Sequence, residues 1–394
     1  MSRNEHQHRE STTRPDLLSL PENHLEGVVT PNSIDAKRTA PLITQIFAVV
    51  LLPLFFAVSF SLAYFSAAHA PAPHDLALTL AGPSSTTSRI ADGIIDQAGE
   101  SAFDITQTTN ADEARTAVAE RDAVGAILID GTNVTTVVAS AGGRAAGTFV
   151  QAVGTQVATQ LGGVSTVEDV APVSAQDTSG TSLFFFVLLC TVVAYFCNTV
   201  VAQVIPKART RTMLAVAAGA AILGPILSFA MMSFFVGDYD ADAGRVAGAI
   251  GVGMIYTFTV GVVATFFTKA LGQGAIFAAV LTLMIFNFPS AGGSTPESLL
   301  PGFWQAIHNT WIGSGAMESM RSLIYFDGHH FGRWFAQLAI WAGSALIATI
   351  GLAVLQRRRA AAAPETPATD PQRAVEPGRR ADTAADVAAA AASV

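Results

Sequence analysis

The sequence predicts an α-helical integral membrane protein of six transmembrane helices, with a small extracytoplasmic α/β domain inserted between helices 1 and 2. Three observations carry that prediction. Only 13% of the 394 residues are Asp, Glu, Lys or Arg while 51% are hydrophobic, against roughly 25% charged in soluble domains. The charges are bunched, leaving gaps long enough to cross a bilayer. One polar interval, 67–180, alternates strand and helix patterns instead.

Seven stretches longer than twenty residues lack any charge: 39–74, 145–167, 178–206, 212–237, 246–268, 270–296 and 334–356. A span needs about 20 predominantly apolar residues. Six qualify, running approximately Pro41–Phe65, Ser182–Ile205, Met213–Val236, Val246–Phe267, Gly274–Phe288 and Phe335–Leu355. The fifth is the shortest. The exception is 145–167, where Thr148, Gln151, Thr155, Gln156, Thr159 and Gln160 would face lipid unpaired, while Phe149, Val153, Val157 and Leu161 form one apolar stripe. That spacing predicts an amphipathic helix of a water-facing domain.

Orientation follows from the basic residues, because short cytoplasmic loops carry the Lys and Arg excess. With both termini cytoplasmic, the inner flanks hold Lys37, Arg38, Lys207, Arg209, Arg211, Lys269 and Arg357 to Arg359. The outer segments then sum to about −12 and the inner ones to about +4, giving the net −8. The opposite orientation would place Asp238, Asp240 and Asp242 in a cytoplasmic hairpin and the triple Arg outside. Ala68-His69-Ala70 resembles a signal-peptide cleavage site, but about forty polar residues precede a run longer than a signal core. Span one therefore reads as a retained anchor.

The resulting organisation is a disordered cytoplasmic tail over 1–40, helix 1 over 41–66, the α/β domain over 67–180 and helices 2–5 over 181–290. An outer aromatic hairpin over 291–333, helix 6 over 334–356 and a second disordered tail over 357–394 complete it. The tails are too poor in large apolar side chains to offset ordering entropy. Within the domain, Leu76–Leu80, Phe103–Thr106, Val124–Ile129 and Val134–Val138 read as strands. Ser88–Ala98, Asn110–Arg121 and about Arg144–Leu161 read as helices, the second with Asn110 and Glu113 forming a capping box. Partly parallel pairing is expected.

Catalytic chemistry is missing from this pattern. There is no GxSxG, HExxH or Walker A motif, and no Gly-Lys pair. Cys190 and Cys197 lie on one helix face and read as apolar packing. Gly142-Gly143 reads as a turn rather than a phosphate cradle, and His329-His330 lacks the further ligands a metal would need. No enzyme activity, cofactor, metal or nucleic-acid partner is expected.

The hairpin and spans hold the candidate functional residues. After the breaker run Pro289 to Pro296, two short helices joined near Gly313 and Gly315 carry Trp304, Trp311, Arg321 and Tyr325, predicting a hairpin lying in or dipping into the outer interface. The spans contain no ionisable residue well inside. Asn198, Gln203 and Asn287 are the strongly polar residues there and predict interhelical hydrogen bonds. Pro53 and Pro225 predict kinks. Gly219, Gly224, Gly244, Gly248, Gly251, Gly253 and Gly261 predict close helix contact, within the protomer or across a homodimer.

This layout resembles the YhgE/Pip (phage infection protein) group of bacterial membrane proteins, within the ABC type-2 permease superfamily. The matching residues are Ala63 to Phe65 through Pro71 to Pro73, Leu76 to Leu80, Ala111 to Val118, Val124 to Ile129, Leu300 to Trp304 and Met320 to Phe326. The resemblance covers roughly 40–356. It implies a permease-like plasma-membrane protein, the membrane subunit of an export system for a hydrophobic or cell-envelope substrate, with a separate ABC ATPase subunit, a homodimeric state and the hairpin Gly302 to Tyr325 capping the pathway. Two departures weaken the coupling to an ATPase: the inner loop Pro206–Thr212 is short, and no amphipathic interface helix precedes Pro41. The alternative is a non-transporting envelope protein whose outer domain is a receptor or secretion-accessory module.

Overall fold

The computed structural model describes residues 42–362 apart from 206 and 294. The expected tail 1–40 and the tail beyond Ala362 lie outside the described residues, as do Lys37 and Arg38.

The chain opens on helix α1 (Leu42–Ala68), then builds β1 (Leu76–Ala81), α2 (Ser84–Ala98), β2 (Phe103–Thr108), α3 (Ala111–Ala119), β3 (Gly125–Asp130), β4 (Asn133–Val138), α4 (Arg144–Gln160) and β5 (Ser165–Asp169). The strands form one sheet in the order β2-β1-β3-β4-β5. Pairing is parallel except between β3 and β4. Gly131, at φ 62°, turns that hairpin in two residues, as such tight loops require positive φ. Because strand side chains alternate faces, Leu76, Leu78, Leu80 and Ile127 share one core with Ile90 and Val150. Ala126, Leu128 and Val137 meet Ala114 and Val118 on the opposite face. The Asn110 side chain caps α3, accepting from the amides of Asp112 and Glu113. Glu113 departs from the capping box: its carboxylate accepts from Thr108 Oγ1 at 2.6 Å. Strand β5 has no expected counterpart. It alternates weakly and exposes Val167, which hides its pattern.

Four further long helices follow: α5 (Ser182–Val204), α6 (Thr210–Val236), α7 (Ala243–Leu271) and, after an interval, α12 (Phe331–Ala362). With α1 these are five helices long and apolar enough to cross a membrane. The stretch expected as a further span, Gly274–Phe288, is instead a shorter apolar helix over Ala275–Ser290. Its segments α8 (Ala275–Val280) and α9 (Asn287–Ser290) flank a π-helical turn at Leu281–Ile285. Helix α12 runs past the expected end of its span, so Arg357 to Arg359 are helical rather than the start of a tail.

Apolar side chains surround the helices on both sides. Phe186, Tyr256, Leu283, Ile312 and Met317 are fully buried between them, while Leu223, Leu227, Met231, Phe234 and Phe235 of α6 and Ile340 and Ile347 of α12 are exposed outward. A soluble protein would not leave so large an apolar surface uncovered, whereas lipid tails accept it.

Between α9 and α12 lie α10 (Gly302–His308) and α11 (Ile312–Tyr325). Twelve of the fourteen residues of α11 are buried. The small residues Gly313, Ser314, Gly315, Ala316 and Ser319 let it lie against its neighbours: a Cβ on Gly315 would meet the Leu338 amide nitrogen at 3.1 Å and the Trp334 carbonyl at 3.2 Å. The two helices therefore join at Asn309–Trp311 rather than near Gly313 and Gly315, and those glycines serve close packing inside α11.

Candidate functional site: the buried hairpin and its ion cluster

The turn between α10 and α11 is half-buried against α12, with Thr310 exposed, and its carbonyls find side-chain partners. Gln337 Nε2 donates to the carbonyls of His308 at 3.1 Å and Trp311 at 2.5 Å. Ser314 Oγ also donates to the His308 carbonyl, and Trp341 Nε1 to that of Thr310 at 2.8 Å. Trp311 Nε1 donates to the Thr282 carbonyl in the π-helical turn at 2.9 Å. These bonds fix the non-helical link to α12 and to the π-helical turn.

One and two turns along α11 sit Glu318 and Arg321, each about 3% exposed. Their side chains form an ion pair at i,i+3 spacing. The other carboxylate oxygen of Glu318 pairs with Arg121 of the α/β domain. Arg121 also donates to Ser322 Oγ at 2.8 Å and lies 5.0 Å from the Phe326 ring centroid. Arg321 donates to the Gly292 carbonyl at 2.9 Å, tying α11 to the segment after α9. Gly292 adopts φ 80°, and a Cβ there would meet Glu318 Oε1 at 2.8 Å. Burial by itself would raise the Glu318 carboxyl, but Arg321 and Arg121 outweigh it and hold the group well below the usual carboxylate range.

His308 completes the cluster. Its Nδ1 contacts the Ser290 carbonyl at 2.7 Å, so this nitrogen carries a proton and donates. Nε2 is buried without a hydrogen-bond partner among the described residues, 3.7 Å from Glu297 Oε2. These groups border a cavity of about 370 Å³ between the domain and the hairpin, lined among others by Asp75, Arg121, Glu297, His308 and Glu318. Tyr325, at the end of α11, has a buried hydroxyl whose titration is pushed up, chiefly by burial.

Hydrophobic contacts reinforce the junction. Leu299 belongs to the core between the sheet and α2 and α4, and Phe326 to the core on the opposite sheet face. Gly143 approaches so closely that a Cβ would fall 2.2 Å from Pro296 Cγ. The pair Gly142-Gly143 is thus a packing point for the hairpin, not an anion cradle.

A second polar network lies among the helices. Asn287 Nδ2 donates to Tyr256 Oη at 2.7 Å. With that lone pair taken, the Tyr256 hydroxyl donates to Thr191 Oγ1 at 2.6 Å, and Thr191 donates to the Val187 carbonyl at 2.9 Å. Asn287 Oδ1 is buried without a partner among the described residues, facing the place where a Cβ on Gly313 would lie. Separately, Thr265 Oγ1 donates to Asn198 Oδ1 at 2.9 Å, and Asn198 Nδ2 to the Ala194 carbonyl at 3.1 Å.

Among the expected functional residues, Trp304, Trp311, Arg321 and Tyr325 come together on the hairpin, with Asn287 against it. Trp304 is buried and its Nε1 donates to Ser66 Oγ at 3.1 Å. Asn198 is a helix-bridging residue in its own network. Pro225 is buried in α6 against Gly253, where a Cβ would stand 3.3 Å from the Pro225 Cβ. Gln203 is exposed on the last turn of α5 and belongs to neither network. Beside the expectation that the spans hold no ionisable group well inside, Glu318 and Arg321 are buried on α11, paired with each other and turned toward Arg121 and the Gly292 carbonyl. Glu318 was overlooked because an i,i+3 acid–base pair usually marks a solvated helix face. Its setting of Gly, Ser and Ala, which allows helices to close around it, is the signal that could have found it. Nothing local marks Arg121, Tyr256 or His308.

No family model, curated protein or solved structure matches the chain.

Proposed function

We propose that the protein is a permease-like membrane subunit of an export system in the plasma membrane. It handles a hydrophobic or cell-envelope substrate and depends on a separate ATPase for energy. In this reading both termini are cytoplasmic, and the α/β domain and hairpin form the outer closure of the pathway. The observation that carries it is the α10–α11 hairpin. A helix packed on almost every side and fastened to the adjoining domain by Glu318 and Arg121 has the construction of a plug rather than of a surface loop. Arg209, Arg211, Lys269 and Arg357 lie at the ends of α6, α7 and α12 remote from the domain, which supports an inward placement of those ends.

The decisive experiment is purification of the tagged chain from its native membrane, followed by reconstitution in vesicles. Co-purification of a nucleotide-hydrolysing chain, and ATP-dependent movement of a lipophilic probe that Glu318→Gln alters, are expected. A stable complex without such a chain and without transport would instead favour the receptor or secretion-accessory reading of the outer domain.

A further inference from the structure

At the end of the helical assembly remote from the α/β domain, a second cavity of about 470 Å³ opens between α6, α7 and α12. Arg209 and Arg211 from the start of α6, Lys269 from the last turn of α7 and Arg357 from α12 line it, with Thr210 and Gln356 between them. No carboxylate lines it, and none lies within 4.0 Å of these four cations among the described residues. Lys269 is held in place, while Arg209, Arg211 and Arg357 are exposed. Lys269 Nζ donates to the Ala208 carbonyl, and Gln356 Nε2 donates to the Lys269 carbonyl at 2.9 Å, joining α6, α7 and α12 at this level. Charge preference for one side of a membrane explains why basic residues occur at helix ends. It does not explain four of them converging from three helices on one recess where no carboxylate among the described residues neutralises them. Leu271, two residues after Lys269, and Val354 and Leu355, three and two residues before Arg357, are exposed and apolar.

We propose that this recess binds the phosphate of an anionic ligand, namely a phospholipid headgroup. A doubly anchored phosphate suits clustered Arg and Lys donors, and basic pockets between membrane helices are suited to acidic headgroups. The lipid would brace the ends of α6, α7 and α12 against each other from one leaflet.

The test uses the full-length protein, delipidated in mild detergent. Thermal unfolding is followed while phosphatidylglycerol, phosphatidylcholine or inorganic phosphate is added. Stabilisation by phosphatidylglycerol at concentrations where phosphatidylcholine does nothing is expected. Arg211→Ser with Lys269→Ser should weaken the apparent affinity roughly thirtyfold. Arg358→Ser with Arg359→Ser, which removes two neighbouring charges outside the recess, should change it less than about twofold. An equal loss in both double variants would show diffuse surface attraction and overturn the site, as would an unchanged response in the first. If inorganic phosphate alone gave the whole effect and phosphatidylglycerol added nothing, the lipid assignment would be overturned in favour of free phosphate. Folding of each variant is checked by its unchanged melting temperature without lipid.

Discussion

Glu318 is one almost fully buried carboxylate held between two guanidiniums. Such an arrangement is costly to form and more costly to break, because removing one partner strands the others. Glu318→Gln should leave Arg121 and Arg321 facing each other unneutralised and destabilise the detergent-solubilised protein by about 3–5 kcal/mol, seen as a lower melting temperature. Arg121→Ala should cost less, since Arg321 still satisfies the carboxylate. The pH dependence has a definite sign. A carboxyl whose folded-state titration lies below its free value of 4.5 gives its full contribution above 4.5 and loses it as the pH falls toward the depressed value. Fluorescence of the nearby Trp304 and Trp334 should therefore stay native above about 4.5 and change only in stronger acid. A transition near 6.5, where histidine ordinarily titrates, would contradict the assignment. Arg321 was legible in the sequence as a basic residue of an aromatic hairpin. Its buried partner was not, because a charge pair looks the same on paper whether helices or water surround it.

At the scale of helices, glycines decide where backbones meet. A Cβ on Gly261 of α7 would lie 2.7 Å from the Ala217 Cβ of α6 and 2.9 Å from Asn198 Nδ2, whereas one on Gly251 would meet nothing within 4 Å. Gly261→Ala should therefore separate α6 from α7 and disturb the Asn198–Thr265 bond, costing about 1–3 kcal/mol. Gly251→Ala should be close to neutral. Comparing the two melting temperatures checks the packing directly, and equal effects would refute it. The sequence marked both glycines as small residues in one span, without distinguishing the face that meets α6 from the one that does not. The π-helical turn at Leu281–Ile285 was hidden for a related reason. The composition of that stretch is as apolar as any span, and its wider turn shows only in the backbone pairing Phe286 to Leu281 and in Trp311 reaching the Thr282 carbonyl.

For the molecule as a whole, charge-free runs located the five long helices, and short runs of apolar and β-branched residues located four of the five strands described. Both are local properties of the chain, which is why they could be read without coordinates. What escaped was the union of the domain with the hairpin, since residues far apart in sequence make it: Arg121 with Glu318, Gly143 with Pro296, and Leu299 and Phe326 within the cores on the two faces of the sheet. That last arrangement has a temporal consequence. Synthesis completes β5 at Asp169 more than a hundred residues before Leu299 and Phe326 are made. Until then the nascent sheet presents an unfilled apolar position on each face. The domain must wait, incompletely closed, for a segment that arrives only after three further long helices have been laid down. Assembly is therefore vectorial, with the last helical hairpin acting as the keystone for a domain translated first.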